Sequence, residues 1–335
     1  MQTFPVEADI LGFNLILFLL YLIYELFITV TGYPYTSLNF LKDLYSIYGN
    51  FRMDGPLFDL HTHTTFSDGT LSPADLVDMA VGKKLAAVAI TDHDTVSGIR
   101  MATEYGRNKD IRVIPGVEIS SVHDEKGVHI LGYGLSPDAS TAIEERLTPL
   151  QNGRTSRNRK IIEKLINLGI DINYDELVRF SGQGQIGRPH IATLLMKKGV
   201  VKSVQQAFDR LLKKGRPAFA PCRRYSAAEA IELIKKSGGL AVLAHPATID
   251  PALASIRRLL EYLKGLGLDG IEVFYPRHAR RQVAILQALT ADFDLLATGG
   301  SDFHGEVKPD TCLGIISPHS PPPSDLLEKF LDRLP

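Results

Sequence analysis

The segment DLHTHTTFSDGT, residues 59–70, sets His61 and His63 two positions apart and follows them with Asp68. In an extended chain side chains alternate faces, so residues i and i+2 point the same way. Two imidazoles on one face with a carboxylate close behind form half of a metal site. Two exposed histidines beside a polar turn would look the same in this window. The rest of the chain separates the two readings. Further apolar runs end in more donors: Asp92-His93-Asp94, Glu118, His129, His245, then Asp302-Phe303-His304. Six histidines (His61, His63, His93, His129, His245, His304) and three acids (Asp68, Glu118, Asp302) thus recur at strand ends over about 240 residues.

In a β/α barrel such ends gather at one mouth. A lone buried histidine is usually a hydrogen-bonded core residue, but nine uncompensated groups in one pocket would be costly to desolvate, and cations remove that cost. Nine donors exceed the needs of one tetrahedral ion, so two or three divalent ions are expected. Imidazole mixed with carboxylate favours manganese, zinc or iron over magnesium or calcium in an oxygen cage. Glu118 is the natural bridging carboxylate. Two ions about 4 Å apart can share a hydroxide and clamp the attacking and leaving oxygens, which suits phosphate esters and, less specifically, amide or ring hydrolysis. His61, His63, Asp68, His93, Glu118 and His304 are expected to act directly in that chemistry.

Cations for an anionic substrate stand elsewhere. GRTSRNRK (153–160) places Arg154 and Arg157 three apart on one helical face, and IGRPHIA (186–192) sets Arg188 at a helix start with Pro189 at its first position. Guanidinium forks bind phosphate bidentately, so Arg157 and Arg188 are the candidate clamps, with Arg154 and His190 as further candidate contacts. The plain alternative is that these arginines solvate a helical surface and that His190 caps or packs. His123, His278 and His319, Lys83-Lys84 and Arg280-Arg281 read as ordinary surface groups.

The elements that must position these groups read as strand, loop and helix in repetition. PLFDLH (56–61), LAAVAI (85–90), RVIPGVEIS (112–120), GVHILGYGL (127–135), LAVLAH (240–245), GIEVFY (270–275) and LLATGGSDFH (295–304) are short, continuous apolar runs of the kind found in buried parallel strands. Helical spacing fills 72–84, 95–107, 226–237, 252–266 and 277–291, with Ser72 as N-cap and Pro73 behind it. About seven β/α steps predict a barrel-like α/β fold. Residues 138–220 break the rhythm and read as helices at 141–168, 173–180, 188–199 and 203–214, a helical insertion over one rim. The catalytic barrel is then 53–137 plus 221–320, with 321–335 as a terminal helix behind the stiff SPPPSD connector.

Composition narrows the setting. With 335 residues, 44% hydrophobic and 22% charged, the chain is an ordinary globular protein. A net charge of −1 gives no broad attraction to nucleic acid, so stable duplex binding is not expected. Cys222 and Cys312 stand far apart outside any CxxC pattern, which fits a reducing, cytoplasmic compartment. Residues 10–31, ILGFNLILFLLYLIYELFITVT, are apolar apart from Asn14 and Glu25 and long enough to cross a bilayer. Three readings of residues 1–52 stay open: an inner-membrane anchor, a packed helix, or a mis-assigned start with Met53 as the true one.

DLHTHTTFSDGT, AITDHDT, PGVEIS, VHILGYG, LAHP and GGSDFHG together resemble the PHP family, named for polymerase and histidinol phosphatase. The insertion, with RPHIA, VVKSVQQAF and GRPAFAP, resembles the branch of 3′,5′-nucleotide bisphosphate phosphatases and 5′-to-3′ exoribonucleases. The resemblance implies a distorted seven-stranded TIM-like barrel, a trinuclear metal centre and the nine donors above as its ligand set. It also implies hydrolysis of a phosphorylated small molecule or a short oligonucleotide. The alternatives are a histidinol-phosphate-type phosphatase and, in another class, a non-catalytic metal-binding or membrane-tethered scaffold.

Overall fold

The computed structural model describes residues 55–136, 140–181 and 184–335. The apolar segment 10–31 and the rest of the N-terminal extension lie outside the described residues. Among those described, no helix is long and apolar enough to cross a membrane.

The apolar runs form β1 (Phe58–Asp59), β2 (Ala87–Ile90), β3 (Arg112–His123), β4 (Lys126–Tyr133), β5 (Tyr225–Ser226), β6 (Leu240–Leu243), β7 (Gly270–Phe274) and β8 (Leu296–Gly299). They make one mostly parallel sheet in the order β1-β2-β3-β4-β6-β7-β8, with the two-residue β5 paired beside β3. The first and last strands meet through the Leu60 N–H, which donates to the Gly299 carbonyl at 3.1 Å, and the His63 N–H, which donates to the Phe303 carbonyl at 2.9 Å. Burial of every residue of β2, β6 and β7 explains why these runs are apolar without alternation.

The helices are α1 (Pro73–Gly82), α2 (Ile99–Gly106), α3 (Ser140–Asn167), α4 (Tyr174–Ser181), α5 (Arg188–Lys197), α6 (Val204–Ala207), α7 (Ala227–Lys236), α8 (Ile256–Gly265), α9 (Arg280–Asp292) and α10 (Leu326–Leu331). A π-helical turn, Phe208–Leu212, follows α6, where one continuous helix over 203–214 was expected. Local chemistry starts them: the Ser72 hydroxyl accepts from the Asp75 N–H at α1, and Ser226 and Glu229 cap each other's N–H at α7. The helices between β4 and β5 bury their own apolar cluster, including Ile161, Leu165, Ile191, Leu195 and Leu212, separate from the cluster under the sheet.

One strand departs from the expected β/α repeat. β4 runs antiparallel to both β3 and β6. The cause is local: only Asp124 and Glu125 separate β3 from β4, and both have positive φ (45° and 61°). Two central residues in that region make a tight hairpin whose twist matches the strands. His129 therefore lies in the first half of β4 and not at its end, and the reversed direction still delivers it to the mouth, opposite Ser120. A further difference is His278, expected at the surface. It is 1% exposed and its Nδ1 lies 2.9 Å from the Val273 carbonyl, because the turn after β7 folds back on the sheet.

Candidate metal centre

Each donor reaches the mouth by a definite local device. Asp59, at the end of β1, accepts from the backbone N–H of His61, Ser301 and Gly314 and from the Ser301 hydroxyl. It thereby staples the His61 segment to the loop after β8. Gly300 crosses there so closely that a Cβ would stand 2.2 Å from the His61 Cβ. Asp92 accepts from the Thr64 N–H, the Thr64 hydroxyl and the Ser67 hydroxyl at 2.7, 2.6 and 2.5 Å, curling the loop so that Asp68 returns toward His63. Asp94, His245 and Asp302 have φ of 54°, 29° and 55°. Non-glycine residues adopt that region at a cost of about 1–3 kcal/mol, so the surrounding contacts must hold these three in place.

The result is one cluster. His61 Nε2, His63 Nε2 and His93 Nδ1 lie 3.3, 3.2 and 2.9 Å from Glu118 Oε2, while His129 Nδ1 and His245 Nε2 lie 2.7 and 3.0 Å from Glu118 Oε1. His304 Nε2 lies 3.1 Å from Asp68 Oδ1, and His63 Nε2 lies 3.3 Å from Asp302 Oδ1. The donors form three overlapping sets: His63, Asp68, His93 and His304; His61, His63, Glu118 and Asp302; and His93, Glu118 and His129. His63, His93 and Glu118 each belong to two sets, as ligands shared between neighbouring ions would. His245 stands outside all three, on the far oxygen of Glu118.

The inward-facing atoms fit metal ions. His61 Nε2, His63 Nε2, Asp68 Oδ1, His93 Nδ1, Glu118 Oε2 and His304 Nε2 are buried without a hydrogen-bond partner. Several outward nitrogens are engaged: His61 Nδ1 lies 2.9 Å from Glu272 Oε1, His245 Nδ1 lies 2.9 Å from the Thr248 hydroxyl, and His304 Nδ1 lies 2.8 Å from the Asp302 carbonyl. Metal-bound histidines characteristically have this outer partner and a bare inner nitrogen. A buried polar atom without a partner costs about 1–3 kcal/mol, so six converging on one space call for a cation there.

The PHP domain family matches residues 59–265, more than half of the chain. The chain belongs to the PHP family. Its class is that of a metal-dependent hydrolase of phosphate esters. A 5′-3′ exoribonuclease of Haemophilus influenzae is 34% identical over 252 residues, 74% of this chain and 89% of the relative. A 3′,5′-nucleoside bisphosphate phosphatase of Chromobacterium violaceum is 34% identical over 248 residues, 73% of this chain and 86% of the relative. Among solved structures, one described as a metal-dependent phosphoesterase of Bifidobacterium adolescentis superposes with a TM-score of 0.74 at 32% identity, covering 82% of this chain and 96% of that one.

The electrostatics of this PHP phosphoesterase also favour bound cations. Burial alone would push His61 down, but the carboxylates of Glu272, Glu118 and Asp302 outweigh it and hold the imidazole well above its usual range. Burial likewise opposes protonation of His63, and the Asp302 and Glu118 carboxylates close to its Nε2 raise it to about 9. Burial would raise Glu118, yet His93, His129 and His61 hold its carboxyl well below the usual range. Without metal, protons on His61 and His63 partly neutralise the carboxylates. Ligation needs neutral imidazole, so metal loading near pH 8 is expected to release protons from both. Metal affinity should rise as pH increases toward about 9. Calorimetric titration of apoprotein in buffers of different ionisation enthalpy measures this, and buffer-independent heats would contradict it.

Above the cluster lies a cleft of about 160 Å³, bounded on the metal side by Asp68, His93 and His304. Arg154, Arg157, Arg188 and Arg224 form an arginine-rich part of its wall. Arg154 is held in place, its Nε 2.6 Å from Asp94 Oδ2 and its Nη2 2.6 Å from the Ser120 hydroxyl. Arg157 forks onto Asn158 Oδ1, and burial lowers it to about 9, with the neighbouring Arg154 contributing. The Arg188 guanidinium stands 5.8 Å over the Phe208 ring. Gly187 approaches Asp68 so closely that a Cβ would stand 2.7 Å from its Oδ2, which brings the start of α5 onto the metal side. His190 is 5% exposed, accepts the Gly187 N–H at 3.1 Å and caps α5, apart from the residues that line the cleft.

Sequence reasoning passed over Glu272, Arg224, Phe208, Lys308 and Tyr275. Glu272 had a signal, an acid in the middle of the buried run GIEVFY. It is fully buried, holds His61 Nδ1 and accepts the His245 N–H at 2.8 Å. Glu272→Gln should lower metal affinity by about 10- to 100-fold. Titration of apoprotein with Mn²⁺ measures it, and an unchanged dissociation constant would remove Glu272 from the centre.

Proposed function

We propose that this PHP phosphoesterase hydrolyses the phosphate ester of a nucleotide 3′,5′-bisphosphate or acts at the 5′ end of a short RNA. The observation that carries this reading is the lining of one cleft: the metal donors Asp68, His93 and His304, a wall of four arginines and an aromatic ring, Phe208, share the same space. The names of the relatives of similar length support it. A small amino-alcohol phosphate would engage only part of that wall, whereas a second phosphate, or the next nucleotide of a chain, would engage the rest.

We read the sheet as a distorted seven-stranded barrel, the segment 138–220 as an insertion that supplies the arginine wall, and the centre as holding two or three manganese, zinc or iron ions. The nine donors His61, His63, Asp68, His93, Glu118, His129, His245, Asp302 and His304 would hold them. The bound ions supply Lewis acidity at the phosphoryl group and an ionised nucleophile at neutral pH. The chain's own part is orientation. Arg157 and Arg188 hold the phosphate oxygens, Arg154 is fixed by Asp94 as the floor of the wall, and Phe208 offers a face to a base. Preorganised donors of this kind stabilise charge as it develops on the equatorial oxygens.

The test is hydrolysis by metal-reconstituted protein of 3′,5′-bisphosphoadenosine, 5′-phosphorylated oligoribonucleotides and histidinol phosphate. The first two should be turned over with kcat/KM well above the third. A preference for histidinol phosphate would overturn the reading.

A further inference from the structure

Among the described residues, four guanidinium groups, those of Arg154, Arg157, Arg188 and Arg224, and one ammonium line the cleft. Lys308 lies in the loop after β8 and lines the cleft beside His304. Its Nζ is 2.7 Å from Asp302 Oδ2. The Tyr275 hydroxyl donates to that same oxygen at 3.1 Å from the buried side. Asp302 Oδ1 is thereby left to His61, His63 and His304, whose nitrogens lie 3.6, 3.3 and 3.4 Å away.

Tyr275, 3% exposed, already gives Asp302 Oδ2 a buried donor. An ammonium added from the solvent side does something more. An ammonium has three N–H donors, and the Lys308 side chain keeps 27% of its exposure while Asp302 engages one. Its backbone is anchored as well. The Lys308 N–H donates to the Gly305 carbonyl at 3.2 Å, and its carbonyl accepts from the Thr311 N–H at 3.0 Å and the Thr311 hydroxyl at 2.8 Å. A lysine tied at both ends, with its head at the edge of a metal site, presents donors in a fixed direction with little further loss of side-chain freedom.

We propose that Lys308 is a substrate-contacting cation: tethered by Asp302 beside the metal donors, it hydrogen-bonds a phosphate oxygen in the cleft that the arginines also line. A phosphoryl group would then be held by cations from two separate segments of the chain. The sequence gap between the two groups of cations, residues 154–224 against 308, explains why neither could be paired with the other before folding. The inference rests on phosphoester chemistry at this centre and is independent of whether the alcohol is a nucleotide.

The test uses full-length protein loaded with Mn²⁺ and inorganic phosphate as the probe, in wild type, Lys308→Met, Lys308→Arg and Tyr275→Phe. Calorimetry gives phosphate affinity for the loaded proteins and Mn²⁺ affinity for the apoproteins. Lys308→Met should weaken phosphate by about tenfold or more, as expected for one charge-assisted hydrogen bond of roughly 1.5–3 kcal/mol. Its Mn²⁺ affinity should fall less, Lys308→Arg should restore most of the phosphate affinity, and Tyr275→Phe, which removes only the buried donor to Asp302, should lower phosphate affinity no more than it lowers Mn²⁺ affinity. Equal phosphate affinity in wild type and Lys308→Met would overturn the role of Lys308 alone. So would a loss in Lys308→Met matched by its loss of Mn²⁺. A loaded wild type that binds no phosphate would instead count against phosphoester chemistry at this centre.

Discussion

Protein carrying His61→Ala together with His63→Ala should lose at least about 1000-fold in kcat/KM and retain less metal than wild type. The two imidazoles reach Glu118 Oε2 at 3.3 and 3.2 Å, and His63 is shared by two of the three donor sets, so the pair of changes touches more than one ion. The several kcal/mol of charge stabilisation that bound ions supply translate, at 1.36 kcal/mol per tenfold, into a loss of that size. Elemental analysis beside steady-state kinetics measures both quantities. Wild-type turnover in the double variant would refute the assignment of the centre. Truncating both side chains also empties a fully buried space, so circular dichroism of the variant is needed to separate loss of metal from loss of fold.

Arg188→Ala should lower kcat/KM for a bisphosphate substrate by roughly 2–4 kcal/mol, about 30- to 1000-fold, with little change in metal content. The guanidinium lines the cleft above the centre and rests on the Phe208 ring instead of a carboxylate, so its donors are directed toward an anion. Burial lowers its tendency to hold a proton, and nearby Arg224 and Arg154 lower it further, the mark of cations gathered close together. A bound phosphate relieves that repulsion. The same reasoning predicts a smaller effect on a substrate with a single phosphate. Kinetics equal to wild type on both substrates would make Arg188 a surface residue.

The sequence alone named the candidate donors and determined the class of chemistry. Histidine and carboxylate recurring at the ends of apolar runs is a pattern visible before folding, because each local run is short, buried and followed by a polar loop. The same logic located helices such as α1 and α7, where a serine cap precedes the periodic residues. Arg154 and Arg157 stood out because they lie three apart on one helical face, and Arg188 because it opens a helix ahead of Pro189.

Tertiary structure decided how these parts face one another. The direction of β4 hung on two residues with positive φ, a backbone property that Asp124 and Glu125 do not announce by type, and it is this reversal that sets His129 against Glu118. Glu272 and Lys308 acquired meaning only when distant segments met: one holds His61 from 211 positions away, the other holds Asp302 at the edge of a cleft whose arginines lie between 154 and 224. Which side chains can carry charge or bind metal is a property of residue type and can be read one position at a time. Which oxygen of a carboxylate is already occupied, and which remains free for a cation, depends on contacts between remote parts of the chain, and those exist only after burial has brought them within 3 Å of each other.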